Sequence, residues 1–498
     1  MKAWVVCALL SGVVGAAAQP SLRPPQPVDD FSGHPRVAIL SDIGNEPDDQ
    51  MSFVRLMLYS NELDLEAMIA TTSVWQRAAT HPETMHQIIA AYGEVRPHLL
   101  ENAKGWPEAP ALDSRVFAGQ AAYGMTATGA GKDSAGAQAL LRAMEREDAR
   151  PLWICVWGGA NTLAQALMDL RATKTAEETA RVVARLRVYT ISDQDDAGAW
   201  IRREFPALLY IAMPSTQDGG DYSYATWTGI SGDLYYRNSD GADTSLVTNE
   251  WLERNIRSKG PLGKMYPRFM VIMEGDTPSF LNLIDNGLNG YRRPDWGGWG
   301  GRYIYRQPRG ETRPMWTQGG DEFARATSRD EVHGADGNTH VSDQATVWRW
   351  RGAYQNDFAA RMSWTVEGFA HANHAPELVV NGKAGTAPVE MTAHVGETLT
   401  LDATGSSDPD AHQTLTYRWW VYPEAGLDGA HGAVVSIAGE DQAKATVKVE
   451  SACRKAWIPQ FTHCDGEGIA HIILEVRDDG APRLTSYRRV VVRVPGGE

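Results

Sequence analysis

Four carboxylates fall within the eight residues that end the segment Ser41–Asp49. The segment follows the apolar run Arg36–Leu40, which reads as a buried strand, and precedes a helical pattern from Gln50 to Tyr59. Its glycine, asparagine and proline require a sharp turn, so the carboxylates converge instead of spreading along one face. Converging carboxylates repel one another and destabilise a fold unless a cation lies among them. The expected ion is Ca²⁺, which prefers oxygen ligands.

The four acids are Asp42, Glu46, Asp48 and Asp49. A simpler interpretation is that Asp48 or Asp49 caps the following helix, whose N-terminus favours negative charge. Capping explains one or two of the acids and leaves the others without a role. The cation site is therefore the main hypothesis, and the cap is its alternative.

Strand-type and helix-type runs alternate over residues 36–371. The predicted strands are Arg36–Leu40, Leu65–Thr72, Leu152–Trp157, Arg187–Ser192 and Arg268–Met273, and the predicted helices are Gln50–Tyr59, Pro82–Gly93 and Asn161–Ala172. Continuous apolar strands that alternate with helices indicate an α/β domain with a mostly parallel sheet covered on both faces. Ligands bind such sheets at the carboxyl ends of the strands, where the acidic turn falls.

The pattern changes in residues 372–498 to short alternating runs separated by Gly, Asp and Pro. These runs are Glu377–Val380, Thr398–Leu401, Ala443–Val449, His471–Val476 and Arg488–Val494. They predict a C-terminal all-β sandwich of immunoglobulin-like type.

The N-terminal residues 1–18 have the pattern of a secretory signal peptide. Lys2 precedes the apolar run Ala3–Gly15, and the small residues Ala16–Ala18 suit a cleavage site. A membrane anchor is the alternative, but the run is short for a bilayer span. Residues 19–35, rich in proline, read as a linker. We expect a secreted or periplasmic protein whose mature chain has no membrane span.

The net charge of −15, from 62 acidic and 47 basic side chains, argues against a nucleic-acid partner. The seventeen tryptophans favour large cores or surfaces that stack on sugar rings.

Cys453 and Cys464 are expected to form a disulfide in an oxidising compartment, whereas Cys155 lies in an apolar run and reads as a buried thiol. Nothing in the pattern indicates an oligomeric state.

The acidic turn resembles the opening motif of nucleoside hydrolases, in which a strand leads into the turn D-x-D-x-G-x-D-D and then a helix. The resemblance implies that Asp42 accepts a proton from the attacking water and that Asp42, Asp48 and Asp49 bind calcium. Two departures stand out. Two residues are inserted before Asp48, and Leu40 stands where the family has its first aspartate.

Two later segments extend the resemblance. Val156–Ala164 is similar to the family's strand–glycine–helix segment, which implies that the backbone carbonyl of Trp157 completes the calcium shell. An ordinary glycine turn is the alternative. Met273–Pro278 puts Asp276 where the family has a late calcium-binding aspartate. The family often has a histidine just before it as the leaving-group acid, and here that position is Gly275.

The family's ribose-binding positions also differ. Asp195, Asp196 and Trp200 fall at one such place, and Trp75 and Gln76 fall at another. Tryptophans at a sugar site favour stacking on a pyranose face or a longer glycan over a tight clamp on ribose. Packing in the core is the alternative for both tryptophans.

The glycine- and aromatic-rich segment Tyr291–Tyr303 is a further candidate. Its Trp296 and Trp299 would form a platform for a sugar ring, because four glycines among aromatic residues suit an exposed loop. The alternative is a structural lid.

A narrower resemblance covers nearly the whole mature chain. The chain looks like a group of secreted proteins, described as cellulose-binding, that pair a nucleoside-hydrolase-like domain with a β-sandwich. The segments that carry it are Ser41–Gln50, Ala70–Trp75, Leu415–Tyr422 and His471–Tyr487. It implies a calcium-dependent hydrolase of N-glycosyl or glycan bonds with a polysaccharide partner. The alternative is a polysaccharide-binding protein whose calcium site is structural, which the missing aspartate and histidine favour.

Overall fold

The structure, a computed structural model, describes residues 28–213, 222–231, 240–308, 310–318, 328–426, 431–454 and 466–496. The predicted signal peptide, residues 19–27 of the predicted linker and Cys464 lie outside these ranges. The signal peptide and the disulfide between Cys453 and Cys464 therefore stay predictions. None of the described helices is long and apolar enough to cross a membrane.

The end of the predicted linker packs on the first domain. The Asp29 carboxylate forms an ion pair with Arg187 at 2.6 Å. The ring of Phe31 packs on Tyr291, with ring centroids 5.3 Å apart. Asp29 and Phe31, which lie in the predicted linker, therefore pack against the first domain.

An eight-stranded sheet forms the centre of the first domain. Its strands are β1 (Arg36–Ser41), β2 (Asp64–Ala70), β3 (Val116–Ala118), β4 (Leu152–Val156), β5 (Leu186–Thr190), β6 (Leu209–Ala212), β7 (Ile304–Arg306) and β8 (Met315–Thr317). The spatial order is β3-β2-β1-β4-β5-β6-β8-β7, and every neighbouring pair is parallel except β7 and β8. All residues of β1 and β4 are buried, which explains their continuous apolar sequences. The predicted α/β class is confirmed.

Helices cover both faces of this sheet. They are α1 (Pro47–Met57), α2 (Pro82–Asn102), α3 (Ala109–Asp113), α4 (Ala135–Glu145), α5 (Asn161–Thr173), α6 (Ala176–Val183), α7 (Ala197–Glu204), α8 (Asn249–Leu252), α9 (Gly260–Lys264), α10 (Pro278–Leu281), α11 (Ala345–Trp348) and α12 (Arg351–Ser363). Helices α1, α2 and α12 bury one apolar core against the sheet, and α4 to α7 bury a second core against its other face.

The predicted strand Arg268–Met273 is wrong. The segment has no regular structure, and its Met270 and Val271 are 83% and 41% exposed. The place beside β6 is taken by β8 instead. The end of the segment is held by Ser231, whose Oγ accepts from the Met273 amide at 3.1 Å.

Two further groups of strands follow the first domain. A hairpin of β9 (Asp330–His333) and β10 (Thr339–Ser342) precedes α11, and the sandwich contains β11 (Val379–Val380), β12 (Lys383–Ala384), β13 (Val389–Thr392), β14 (Thr398–Asp402), β15 (Thr416–Val421), β16 (His431–Gly432), β17 (Val434–Ala438), β18 (Lys444–Ser451), β19 (Gly468–Arg477) and β20 (Thr485–Val494). One sandwich sheet has the order β13-β20-β19-β15, with β16 also on β19, and the other has β14-β18-β17. A separate apolar core lies between them. The predicted β-sandwich is confirmed.

One guanidinium from the sandwich joins the two domains. Arg489 on β20 is fully buried, and its Nε donates to the Leu288 carbonyl at 2.7 Å. Its Nη2 donates to the carbonyls of Trp296 and Gly297, both at 3.0 Å. Its Nη1 lies 3.1 Å from His471 Nδ1, which accepts from it. Burial, together with this neighbouring cation, holds the pKa of His471 well below its ordinary value of 6.5.

We predict that replacing His471 flattens the acid dependence of stability. Folded His471 resists protonation while the unfolded chain takes up a proton near pH 6.5, so this group lowers the free energy of unfolding only below that pH. The slope is at most about 1.4 kcal/mol per pH unit. His471→Gln, measured by urea unfolding from pH 8 to pH 5, should lose this slope. The exposed control His394→Gln should keep it, and equal slopes in both variants would contradict the assignment.

Candidate functional site

The acidic turn lies at the carboxyl edge of the parallel sheet. Asp42 directly follows β1, Asp48 and Asp49 lie in the first turn of α1, and Asp276 lies in the turn that precedes α10. All four residues are between 3% and 9% exposed. Ligand oxygens of Asp48, Asp49 and Asp276 all lie within 4.8 Å of one another. We call these three residues, together with Asp42, the carboxylate cluster.

Burial raises the pKa of every carboxyl group in the cluster, and repulsion from neighbouring carboxylates raises it further. The pKa of Asp42 rises to about 6 and that of Asp48 to about 7, while those of Asp49 and Asp276 lie well above the ordinary value. The Ser41 hydroxyl donates to Asp49 Oδ1 and offsets part of this cost. Like charges buried this close together destabilise the fold when they are ionised and uncompensated.

The donor set fits calcium. Asp42 Oδ1 and Asp276 Oδ2 are buried and have no hydrogen-bond partner among the described residues. Calcium binds oxygens at about 2.3–2.6 Å, so two oxygens on opposite sides of one ion lie about 5 Å apart. The three carboxylates that converge meet this limit. The helix dipole also favours Asp48 and Asp49 in the first turn of α1, so the capping alternative adds to the cluster and does not replace it.

Two glycines after β4 let the backbone approach the acids closely. A Cβ atom on Gly158 would lie 2.8 Å from the Asp42 carboxylate. A Cβ atom on Gly159 would lie 2.6 Å from Asp195 Oδ2. Neither distance leaves room for a side chain, so both positions of this turn require glycine for the two aspartates to lie where they do.

Trp157, which precedes these glycines, is fully buried. Its indole Nε1 donates to Ser279 Oγ at 2.7 Å. The Trp157 backbone carbonyl accepts from Gln194 Nε2 at 2.6 Å. The backbone carbonyl of Gln194 accepts from the Val74 amide at 2.7 Å. Gln194 was not among the predicted residues. The role of the Trp157 carbonyl as a calcium ligand stays a prediction.

Trp75 and Gln76 lie beside Asp42 at the protein surface. Gln76 Nε2 donates to the Asp42 carbonyl at 3.2 Å. Trp75 is 44% exposed. Tyr222, which sequence reasoning missed, hydrogen-bonds the side chain of Trp75, and its hydroxyl accepts from Ser192 Oγ at 3.1 Å. Burial and the nearby Asp42 charge raise the pKa of Tyr222.

Asp195 and Asp196 have different surroundings. Both oxygens of Asp195 accept backbone amides, from Asn161 and Ala197, each at 2.9 Å. These amides begin α5 and α7, so Asp195 stabilises two helix N-termini, and burial raises its pKa to about 7. Asp196 is exposed, and one of its oxygens accepts from the Met125 amide at 2.8 Å.

The three other tryptophans predicted at sugar sites are packed against protein. Trp200 packs on Phe205, with ring centroids 6.0 Å apart, at the edge of the second core. The prediction that Trp296 and Trp299 lie in an exposed loop is wrong, because they are only 4% and 2% exposed. The sandwich covers this loop, and Trp296 lies edge-on to the His471 ring at 5.2 Å.

The turn before Asp276 supplies no leaving-group acid. A Cβ atom on Gly275 would lie 3.0 Å from the ring of Trp227, so the space there is filled. Glu274 is fully buried and forms an ion pair with Arg55 at 2.6 Å. It also accepts from the Tyr266 hydroxyl at 2.5 Å. Glu274 therefore neutralises Arg55 in the core.

The comparisons with known families agree with this architecture. A family model described as cellulose-binding Sde182, nucleoside hydrolase-like domain, matches residues 36–303. The chain belongs to this family. A second model, described as cellulose-binding protein Sde0182, C-terminal domain, matches residues 398–494. No curated protein matches the chain.

One solved structure supports the family assignment. A nucleoside hydrolase-related hypothetical protein from Saccharophagus degradans, described as associated with carbohydrate metabolism, is 34% identical with a TM-score of 0.75, and the match covers 93% of this chain and 100% of that one. The effector protein XOO4466 is 12% identical with a TM-score of 0.32, over 69% of this chain and 95% of its own. The PKD domain from KIAA 1837 protein is 23% identical with a TM-score of 0.15, over 22% and 84%. The last two likenesses are too weak to support a conclusion.

We predict that Gly158→Ala disturbs the cluster. The added methyl group meets the Asp42 side chain, and such overpacking costs about 1–3 kcal/mol of stability. The matched control is Gly352→Ala on α12, where no atom lies within 4 Å of the new methyl group. The control should be neutral or stabilising by up to about 1 kcal/mol. Thermal unfolding of both variants checks this, and equal midpoints would contradict the close approach at Gly158.

Proposed function

We propose that this chain is a calcium-dependent hydrolase of glycosyl bonds that also binds a cellulose-like polysaccharide. The proposal rests on the Asp42 carboxylate, which is buried at the carboxyl edge of the sheet beside three converging carboxylates. One oxygen of this carboxylate, Oδ1, has no hydrogen-bond partner among the described residues. The nucleoside hydrolase-like fold supports glycosyl-bond chemistry, and the family's description as cellulose-binding supports the polysaccharide partner.

Asp42 is the general base in this proposal. The Ser73 side chain hydrogen-bonds its carboxylate and Gln76 holds its backbone carbonyl, so the group keeps one orientation. The unpartnered Oδ1 accepts the proton of the attacking water. Calcium, held by Asp48, Asp49 and Asp276, would orient that water and lower its pKa.

The substrate side of the proposal rests on the aromatic surface beside Asp42. Trp75 is nearly half exposed and is braced by Tyr222, so its ring is held ready to stack on a sugar face. This arrangement favours a pyranose-containing glycan over ribose. Asp196 is the better of the two predicted acidic contacts, because both oxygens of Asp195 already accept backbone amides.

A second candidate is a non-catalytic polysaccharide-binding protein whose calcium is structural. The turn before Asp276 favours it, because Gly275 stands at the histidine position and Glu274 is paired with Arg55. In that case the ion would only neutralise the carboxylate cluster, and the surface around Trp75 would bind sugar without cleaving it.

Export from the cytoplasm is part of the same proposal. The basic Lys2, the apolar run Ala3–Gly15 and the small residues Ala16–Ala18 support it. A disulfide between Cys453 and Cys464 would fit an oxidising compartment.

We predict that Asp42→Asn strongly reduces turnover and leaves glycan binding intact. The amide keeps the size of the carboxylate but accepts no proton, so kcat should fall by about 10²- to 10⁴-fold. Release of reducing sugars and free bases from a substrate panel measures turnover, and pulldown on insoluble cellulose measures binding. The exposed control Asp441→Asn should behave as the wild type. No turnover by the wild type on any substrate, with binding intact, would refute catalysis and leave the second candidate.

A further inference from the structure

A cleft of about 470 Å³ lies between the two domains, and none of its lining residues belongs to the carboxylate cluster. The first domain contributes Glu62, Asp285, Asp357 and Arg361 to its lining, and the sandwich contributes Glu377 and Ser407. Small-molecule sites have volumes of roughly 300–1,000 Å³, so the cleft is large enough for a ligand.

Hydrogen bonds across the domain boundary hold the two walls in place. The Tyr487 amide of the sandwich donates to the Asn286 carbonyl at 3.1 Å. The Thr386 hydroxyl donates to Asp285 Oδ2 at 2.6 Å, and Asn289 Nδ2 donates to the Thr386 carbonyl at 3.2 Å. The cleft is therefore preformed, so a ligand would not have to separate the domains.

The lining carries an excess of negative charge. Glu62, Asp285, Asp357 and Glu377 contribute four carboxylates, and Arg361 is the single basic side chain among the lining residues. The Arg361 guanidinium already donates to Glu62, and to Asp357 at 2.9 Å. Phosphates, nucleotides and uronate sugars would be repelled.

A metal ion is also a poor occupant. Arg361 bridges Glu62 and Asp357, and Asp285 is bound to Thr386, so these acids do not converge on one point. Among the described residues, the one group of three acids whose ligand oxygens converge is Asp48, Asp49 and Asp276, which lies outside this cleft.

We propose that this cleft binds a neutral, hydroxyl-rich sugar chain and is a second glycan site. Carboxylates accept hydrogen bonds from sugar hydroxyls, and the hydroxyls of Ser407 and Thr485 both donate and accept. The apolar side chains of Val379, which is half-buried, and Ala384, which is exposed, offer a surface for the C–H face of a ring. The inference rests on the polysaccharide-binding part of the proposed function and is independent of hydrolysis.

Two variants of the full-length protein test the site. Ser407→Phe fills the cleft from an exposed position, and Glu377→Gln removes one acceptor charge at an exposed position while keeping its size. Cellotetraose is titrated calorimetrically into each. Each variant should weaken binding by about tenfold or more, the usual effect of losing a hydrogen bond to a charged group or of blocking a site. Glu440→Gln, an exposed glutamate of the sandwich outside the cleft, is the matched control and should bind as the wild type does.

Asp42→Asn separates this site from the carboxylate cluster. It should keep its cellotetraose affinity even if it loses all turnover, so a failure of catalysis leaves the cleft proposal standing. Normal binding by both Ser407→Phe and Glu377→Gln would overturn the proposal. The same holds if wild-type protein binds neither cellotetraose nor xylotetraose at millimolar concentration, or binds oligogalacturonate or spermine more tightly. If Ser407→Phe fails to fold, Glu377→Gln decides the outcome.

Discussion

The main physical constraint on this structure is the repulsion between buried carboxylates at the carboxyl edge of its parallel sheet, which has to be relieved for the fold to be stable. Asp42, Asp48 and Asp49 come from the segment that runs from β1 into the first turn of α1, Asp276 comes from the turn before α10, and all four side chains are nearly withdrawn from water. The fold brings them together although burial and mutual repulsion raise the pKa of every one. A bound cation would neutralise this repulsion and would hold the two segments together. The same ion would polarise a bound water beside Asp42, so stability and the proposed catalysis would depend on one site.

The two domains have separate roles around that site. The α/β domain alone provides the carboxylate cluster and the aromatic surface at Trp75. The sandwich is fixed to it by the buried guanidinium of Arg489, and this docking encloses the interdomain cleft lined by Glu377. If one part of a polysaccharide binds in the cleft while one of its glycosyl bonds lies near Asp42, the same protein would both bind the polysaccharide and cleave it.

Much of the fold and of the carboxylate cluster was predictable from the sequence. The features that were not predictable depend on contacts between segments that are distant in the chain. The acidic turn was predictable because strand, turn and helix are adjacent in the chain. Trp296 and Trp299 were misplaced because glycine-rich segments look exposed until another domain covers them. Arg268–Met273 is apolar enough for a strand, but the position beside β6 is occupied by β8, which follows much later in the chain. Tyr222 carries no sequence signal, since it reaches Trp75 from an aperiodic segment.

Calorimetric titration of calcium into chelator-stripped protein tests directly whether the carboxylate cluster is a calcium site. We predict a single calcium site whose occupancy raises the thermal unfolding midpoint. Both the heat of binding and the thermal shift should be lost in Asp276→Asn, because one of the three converging carboxylates is gone. An exposed control, Asp113→Asn, should titrate as the wild type does. Absence of heat and of any thermal shift at millimolar calcium, or unchanged calcium binding by Asp276→Asn, would contradict a calcium site at the carboxylate cluster.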